Sequence, residues 1–169
     1  MLLKRTTAIL LAAATMLTMG LTACGDSSSS ESGSSAADSQ SDAPAKSAAV
    51  AADELKNGVE FKDSLNEADE AIVQKLYKLT KDDYKEAKVY IGSGGATAEE
   101  IACFEANDAD GVSKLEDAVK ARIEDLKNTF KDYVPEEMDK LNDPVVVTKG
   151  NCVYMCLSND NAKAKEIIG

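Results

Sequence analysis

The residues that most restrict this chain's fold are Val112, Leu115, Val119, Ile123, Leu126, Phe130 and Tyr133. They recur at steps of three and four, so a helix over residues 112–133 carries them as one apolar stripe. A helix with a single stripe and charged residues elsewhere needs a second layer to cover it. Pro135 ends the pattern.

The flanking sequence supplies that layer. Residues 88–91 are β-branched and aromatic, run into the loop Gly92-Ser93-Gly94-Gly95 and return over residues 100–106. After Pro144, residues 145–148 and 152–158 flank Lys149-Gly150-Asn151-Cys152, a turn with glycine at its first central position, which suits type II′. Two hairpins around one long helix predict an α+β fold: an antiparallel sheet of about four strands with the long amphipathic helix and shorter helices packed on one face. The shorter helices are expected at 51–57, 67–77 and 136–141, with a last one from an Asn159 or Asp160 cap to Ile168. The second of these rests on the spacing of Leu65, Ala68, Ile72, Leu76 and Leu79.

The first 24 residues read as an address. Lys4 and Arg5 give a positive start, residues 8–19 an apolar run too short for a hydrocarbon core of ~30 Å, and Leu21-Thr22-Ala23-Cys24 leads small residues into a cysteine. That pattern resembles the lipoprotein signal of bacteria. The resemblance implies cleavage before Cys24 and a diacylglyceryl group on its sulfur, with the new α-amino group open to a further chain. Two or more acyl chains, at ~0.8 kcal/mol per buried CH₂, anchor stably.

Residues 25–49 hold ten serines and one proline, Pro44, and too little apolar surface to fold. As a coil such a segment spans about 25 to 30 Å. The expected organisation is therefore a signal peptide over 1–23, a lipidated cysteine and disordered Ser/Ala/Gly/Asp tether over 24–51, and a single α+β domain over 52–169. The expected place is the outer, extracytoplasmic face of the cell membrane, reached through the lipid on Cys24.

Charge and missing residue types narrow the chemistry. The chain carries 30 acidic and 19 basic residues, a formal −11, and loss of Lys4 and Arg5 with the signal takes it to −13. Such a field repels nucleic acid and anionic headgroups, so no nucleic-acid partner is expected, while a cationic ligand, a protein partner with a basic surface at the cell surface, or loosely held divalent cations stay open. There is no histidine, which excludes Ser-His-Asp triads, Cys-His dyads and His-ligated zinc or haem. Without tryptophan, the best ring for stacking on sugars is missing too.

The remaining motifs point to structure. The glycine loop lacks the Lys-Ser/Thr of a P-loop, and Asn107-Asp108-Ala109-Asp110-Gly111 lacks the first and last ligands of a calcium loop. No catalytic residue, cofactor or metal site is expected. Cys152 and Cys156, on one face of a strand but about 13 Å apart, cannot bridge each other. Cys103, Cys152 and Cys156 are either small buried hydrophobes or include one disulfide from Cys103 to one of the other two. Arg122, the one arginine left after signal removal, and Tyr133 are the candidate contacts for a ligand or partner in a shared groove. The alternative for Arg122 is an edge residue paired with Asp125.

The folded part also resembles a family of small Gram-positive lipoproteins whose shared domain has no assigned function. The cues, in order, are Leu76-Tyr77, Ala98-Glu99-Glu100-Ile101, Arg122, Tyr133-Val134-Pro135-Glu136 and Lys149-Gly150-Asn151. Cys103, Cys152 and Cys156 depart from it, standing where the family carries aliphatic or aromatic residues. The resemblance implies a secreted, lipid-anchored module without enzyme chemistry. Two classes of function follow: a non-enzymatic protein-interaction or accessory module, or a small-ligand or solute-binding lipoprotein with its site near Arg122 and Tyr133.

Overall fold

A computed structural model describes residues 44–169. The expected signal, Cys24 and the tether through residue 43 lie outside the described residues. The elements run α1 (Ala48–Gly58), β1 (Leu65–Glu67), α2 (Glu70–Tyr77), β2 (Glu86–Gly92), β3 (Glu100–Glu105), α3 (Val112–Phe130), α4 (Met138–Asn142), β4 (Val145–Lys149), β5 (Cys152–Leu157) and α5 (Asn161–Ile168). The fold is α+β, with a five-stranded, wholly antiparallel sheet in the order β1-β2-β3-β5-β4.

Both expected hairpins form. Gly150 turns the second at φ +54°, and Lys78 is the one non-glycine residue at positive φ among the described residues. Positive φ is thus confined to the first central position of that turn, the requirement of type II′. The fifth strand, β1, takes in Glu67, the expected first residue of the 67–77 helix. Leu65 shares the three-and-four spacing of Ala68 and Ile72, but Leu65 pairs with Gly92 and Glu67 with Tyr90 on β2, and Asp69 caps α2 by accepting the Ile72 N–H at 2.8 Å.

Helices cover both faces of the sheet, not one. Val89, Ala102, Phe104, Val153, Met155 and Leu157 meet α2, α3 and α4 on one face. Tyr90, Ile101, Cys103, Tyr154 and Cys156 meet α1 and α5 on the other. Among the central strands, β5 shows the consequence most fully, being buried from end to end.

The folded part also begins earlier than residue 52. Ala48, Ala51, Ala52 and Leu55 are fully buried at helical spacing, and their small side chains bring α1 close against β2 and β3. Ser47 caps that helix, and Lys46 ties it down by donating to Ile167 O at 2.6 Å while its carbonyl accepts from the Tyr154 hydroxyl. Ala48, inside the stretch that reads as low complexity, belongs to the packing face of a helix.

The stripe on α3 is buried at Leu115, Val119, Ile123, Leu126 and Phe130. The helix ends at Phe130, where turn hydrogen bonds from the Tyr133 and Val134 N–H groups to Phe130 O replace the ladder. Tyr133 therefore leaves the stripe and stands 69% exposed.

Candidate functional site

Two consecutive glutamates enter β3 and are buried to 2% exposure, Glu99 just before it and Glu100 as its first residue. A buried carboxylate persists only when paired and hydrogen-bonded. Each of these two is neutralised by a different part of the chain.

Glu100 receives Arg122 from the middle of α3. Nε donates to Oε1 at 3.0 Å and Oε2 at 3.2 Å, and Nη2 donates to Oε2 at 2.7 Å, a fork that matches the planar carboxylate. The Tyr77 hydroxyl, from the last turn of α2, also donates to Oε1. Burial raises the Tyr77 phenol well above the ordinary tyrosine range and the Glu100 charge adds to the rise, so the phenol keeps its proton and remains a donor. Burial works against the Arg122 charge, but the Glu100 hydrogen bonds and charge outweigh it and hold the guanidinium above its usual value.

Glu99 is enclosed by α4 and by the segment that leads into β1. Lys140 Nζ lies 3.3 Å from Glu99 Oε1 and 2.7 Å from Glu137 Oε2, and all three side chains are at most 5% exposed. The Lys62 and Asp63 N–H groups donate to Glu99 at 3.0 and 2.9 Å, and the Ala98 N–H donates to Glu137 at 2.8 Å. Burial pushes the Glu137 carboxyl up, but Lys140 and the Ala98 N–H prevail and it sits below the usual range. Asp63 then clasps the glycine loop, accepting from Ser64 N–H, Ser93 Oγ and Gly94 N–H.

Chemically this arrangement joins elements; it does not hold a reactive group open. The oxygens of Glu100 accept from Tyr77 and Arg122, so the cluster ties α2, β3 and α3 together. Arg122 turns to Glu100, and Asp125 bears on it only as a further negative charge. The guanidinium is directed to Glu100 on the sheet, and Tyr133 stands 69% exposed beyond the end of α3. The signal for Glu100 was present in the sequence: two acids leading into the run Ile101-Ala102-Cys103-Phe104 require a cation from elsewhere.

The thiols lie on the opposite face. Cys103, Cys152 and Cys156 are all free and buried. Cys103 pairs across the strands with Tyr154, which leaves Cys152 and Cys156 at diagonal positions. Diagonal neighbours sit about 7–8 Å apart, beyond disulfide reach without backbone movement. Burial raises all three, Cys156 to about 12, so none is a thiolate at neutral pH.

On that face an open cleft of about 550 Å³ runs between α1 and α5, lined by Val50, Asp53, Asn57 and Ile167 among others. It is separated from Arg122 by the sheet. Asp53 on its wall is engaged with the Tyr90 hydroxyl at 2.6 Å and with Lys88 at 3.5 Å. Among the described residues no three acidic or cysteine side chains converge to hold a metal ion.

No curated protein matches the chain, and no solved structure does. The family whose model matches is described as Domain of unknown function (DUF4358), over residues 57–158, a span that includes the Glu99 and Glu100 clusters, and the chain belongs to that family.

Proposed function

We propose that this chain is a membrane-anchored, extracytoplasmic lipoprotein whose domain is a non-enzymatic protein-interaction or accessory module. The anchor rests on the sequence leading into Cys24. One observation above others supports the module: the groups with chemistry to offer a substrate are engaged inside the fold. Arg122 is held by Glu100, Lys140 by Glu99 and Glu137, and the thiols are buried and protonated. Function then falls to the surface.

The anchor is tested by metabolic labelling with an alkyne fatty acid. The parent chain is expected to take up label and fractionate with membranes, and Cys24→Ala to take up none. Equal labelling of both rejects the anchor. The module is tested by a thermal-shift panel of calcium, anions, sugars and cell-wall fragments on the mature chain. A flat panel is expected, since a ligand at 100 times its Kd would add about 2.7 kcal/mol, and a clear shift would favour the solute-binding alternative.

A further inference from the structure

Strand β4 ends the sheet, and no other described element pairs with its outer side. Lys149 and Cys152 close a two-residue turn and so exchange hydrogen bonds, as by alternation do Val147 with Tyr154 and Val145 with Cys156. The same phase follows on β5, where Asn151 O accepts from the Ala106 N–H and turns the odd-numbered residues toward β3. The N–H and C=O groups of Val146 and Thr148 therefore point outward. The side chain of Val146 is 39% exposed beside them. The other edge, β1, is only three residues long and shows exposed Asn66 and Glu67, a protected edge; β4 is longer and apolar through Val147.

We propose that a second copy of this chain adds to that edge, β4 against β4 in antiparallel order, joining two sheets into one. The strand itself selects the occupant. Pro144 has no N–H and Gly150 belongs to the turn, so the usable edge is residues 145–149, centred on Val147. With Val147 opposite Val147, Val146 of each copy meets Thr148 of the other, and both pairs can exchange hydrogen bonds. A centre at Val146 sets Thr148 against Pro144, and a centre at Thr148 sets Val146 against Gly150, leaving one pair in either case.

Side chains and charge agree with this register. Val146 lies beside Thr148 on one face, and Val147 meets Val147 on the other. Lys149 of each copy comes alongside the Asp143 end of the other strand. The overall negative charge opposes approach, but it is screened beyond ~8 Å at physiological salt, so association strengthens as salt rises. The pairing gives the proposed interaction module one partner and rests on that reading for its class; it does not depend on the lipid.

The test uses the full-length chain with one added thiol at a time, under mild oxidation on non-reducing gels. In this register Val147 faces its copy as a non-hydrogen-bonded pair with Cα atoms ~4.5 Å apart, within disulfide reach. Positions 146 and 148 each lie about 7–8 Å from themselves in the other copy. Val147→Cys is expected to run as a homodimer, and Val146→Cys, Thr148→Cys and the parent as monomers. Adding Val146→Pro to Val147→Cys removes an outward N–H that serves no bond among the described residues; the thermal melt is expected to hold while the dimer is lost. Dimer at all three positions, dimer that survives Val146→Pro, or no dimer at Val147 overturns the pairing. A mixed disulfide from Val147→Cys to a different polypeptide overturns it as well, while leaving the interaction-module reading standing.

Discussion

Arg122 and Glu100 stand 22 residues apart in sequence and meet as a bidentate pair, Nη2 to Oε2 at 2.7 Å, with side chains 15% and 3% exposed. The pair fastens the middle of α3 to the first residue of β3. Arg122→Ala removes the cation and leaves a buried carboxylate, so about 3–5 kcal/mol of unfolding free energy is expected to be lost, a large part of a typical 5–15 kcal/mol. The double variant Arg122→Met with Glu100→Gln keeps an acceptor for Tyr77 and removes both charges. It is expected to lose much less, as measured by urea unfolding of both proteins.

Lys140 offers a sharper test because two carboxylates depend on it. At pH 7 Lys140→Met is expected to cost about 3–5 kcal/mol, since Glu99 and Glu137 are left buried as anions. Without the ammonium the foremost influence holding the Glu137 carboxyl down is gone, and protonation of Glu137 on acidification relieves the repulsion. The deficit relative to the parent should therefore shrink between pH 7 and about 4.5. A deficit that stays constant with pH would show that Lys140 acts by packing alone.

The parent should behave in the opposite sense. Glu137 is held below the usual range, and Lys114, with help from the Thr80 N–H and hydroxyl, takes Asp83 down to about 2. A carboxyl depressed in the folded state contributes stability that is complete above its unfolded value, near 4, and is lost as pH falls through the folded value. Unfolding free energy is expected to be level from pH 7 to about 5 and to fall from there toward pH 2. Lys114→Met should make that fall shallower.

The thiols give a count as well as a rate. Cys103, Cys152 and Cys156 are buried and protonated, so a thiol reagent at neutral pH is expected to label the native protein very slowly and all three residues once urea unfolds it. The full chain has four cysteines. A fourth titratable thiol in protein isolated from cells would mean that Cys24 carries no lipid.

Where α3 stops can be read from two aromatic residues. Phe130 is 5% exposed and Tyr133 69%. Phe130→Ala is expected to cost about 3–5 kcal/mol by opening a core cavity. Tyr133→Ala should remain within about 0.5 kcal/mol of the parent in the same unfolding assay.

Local pattern and chain chemistry were legible in the sequence. The buried face of α3 follows from the recurrence of Leu115, Val119, Ile123, Leu126 and Phe130, because helical period is a property of neighbouring residues. The β4–β5 turn follows from Gly150, since φ +54° costs a glycine little. The missing histidine and the sequence before Cys24 are equally local facts. Tertiary structure decided what depends on distant partners. It placed α1 and α5 on the second face of the sheet, and it made Leu65–Glu67 a strand through β2 against a helical spacing. It turned Arg122 to Glu100. The physical reason is the same in each case: a buried charge or a short strand takes its state from whatever the fold brings against it, and sequence spacing carries no record of that neighbour.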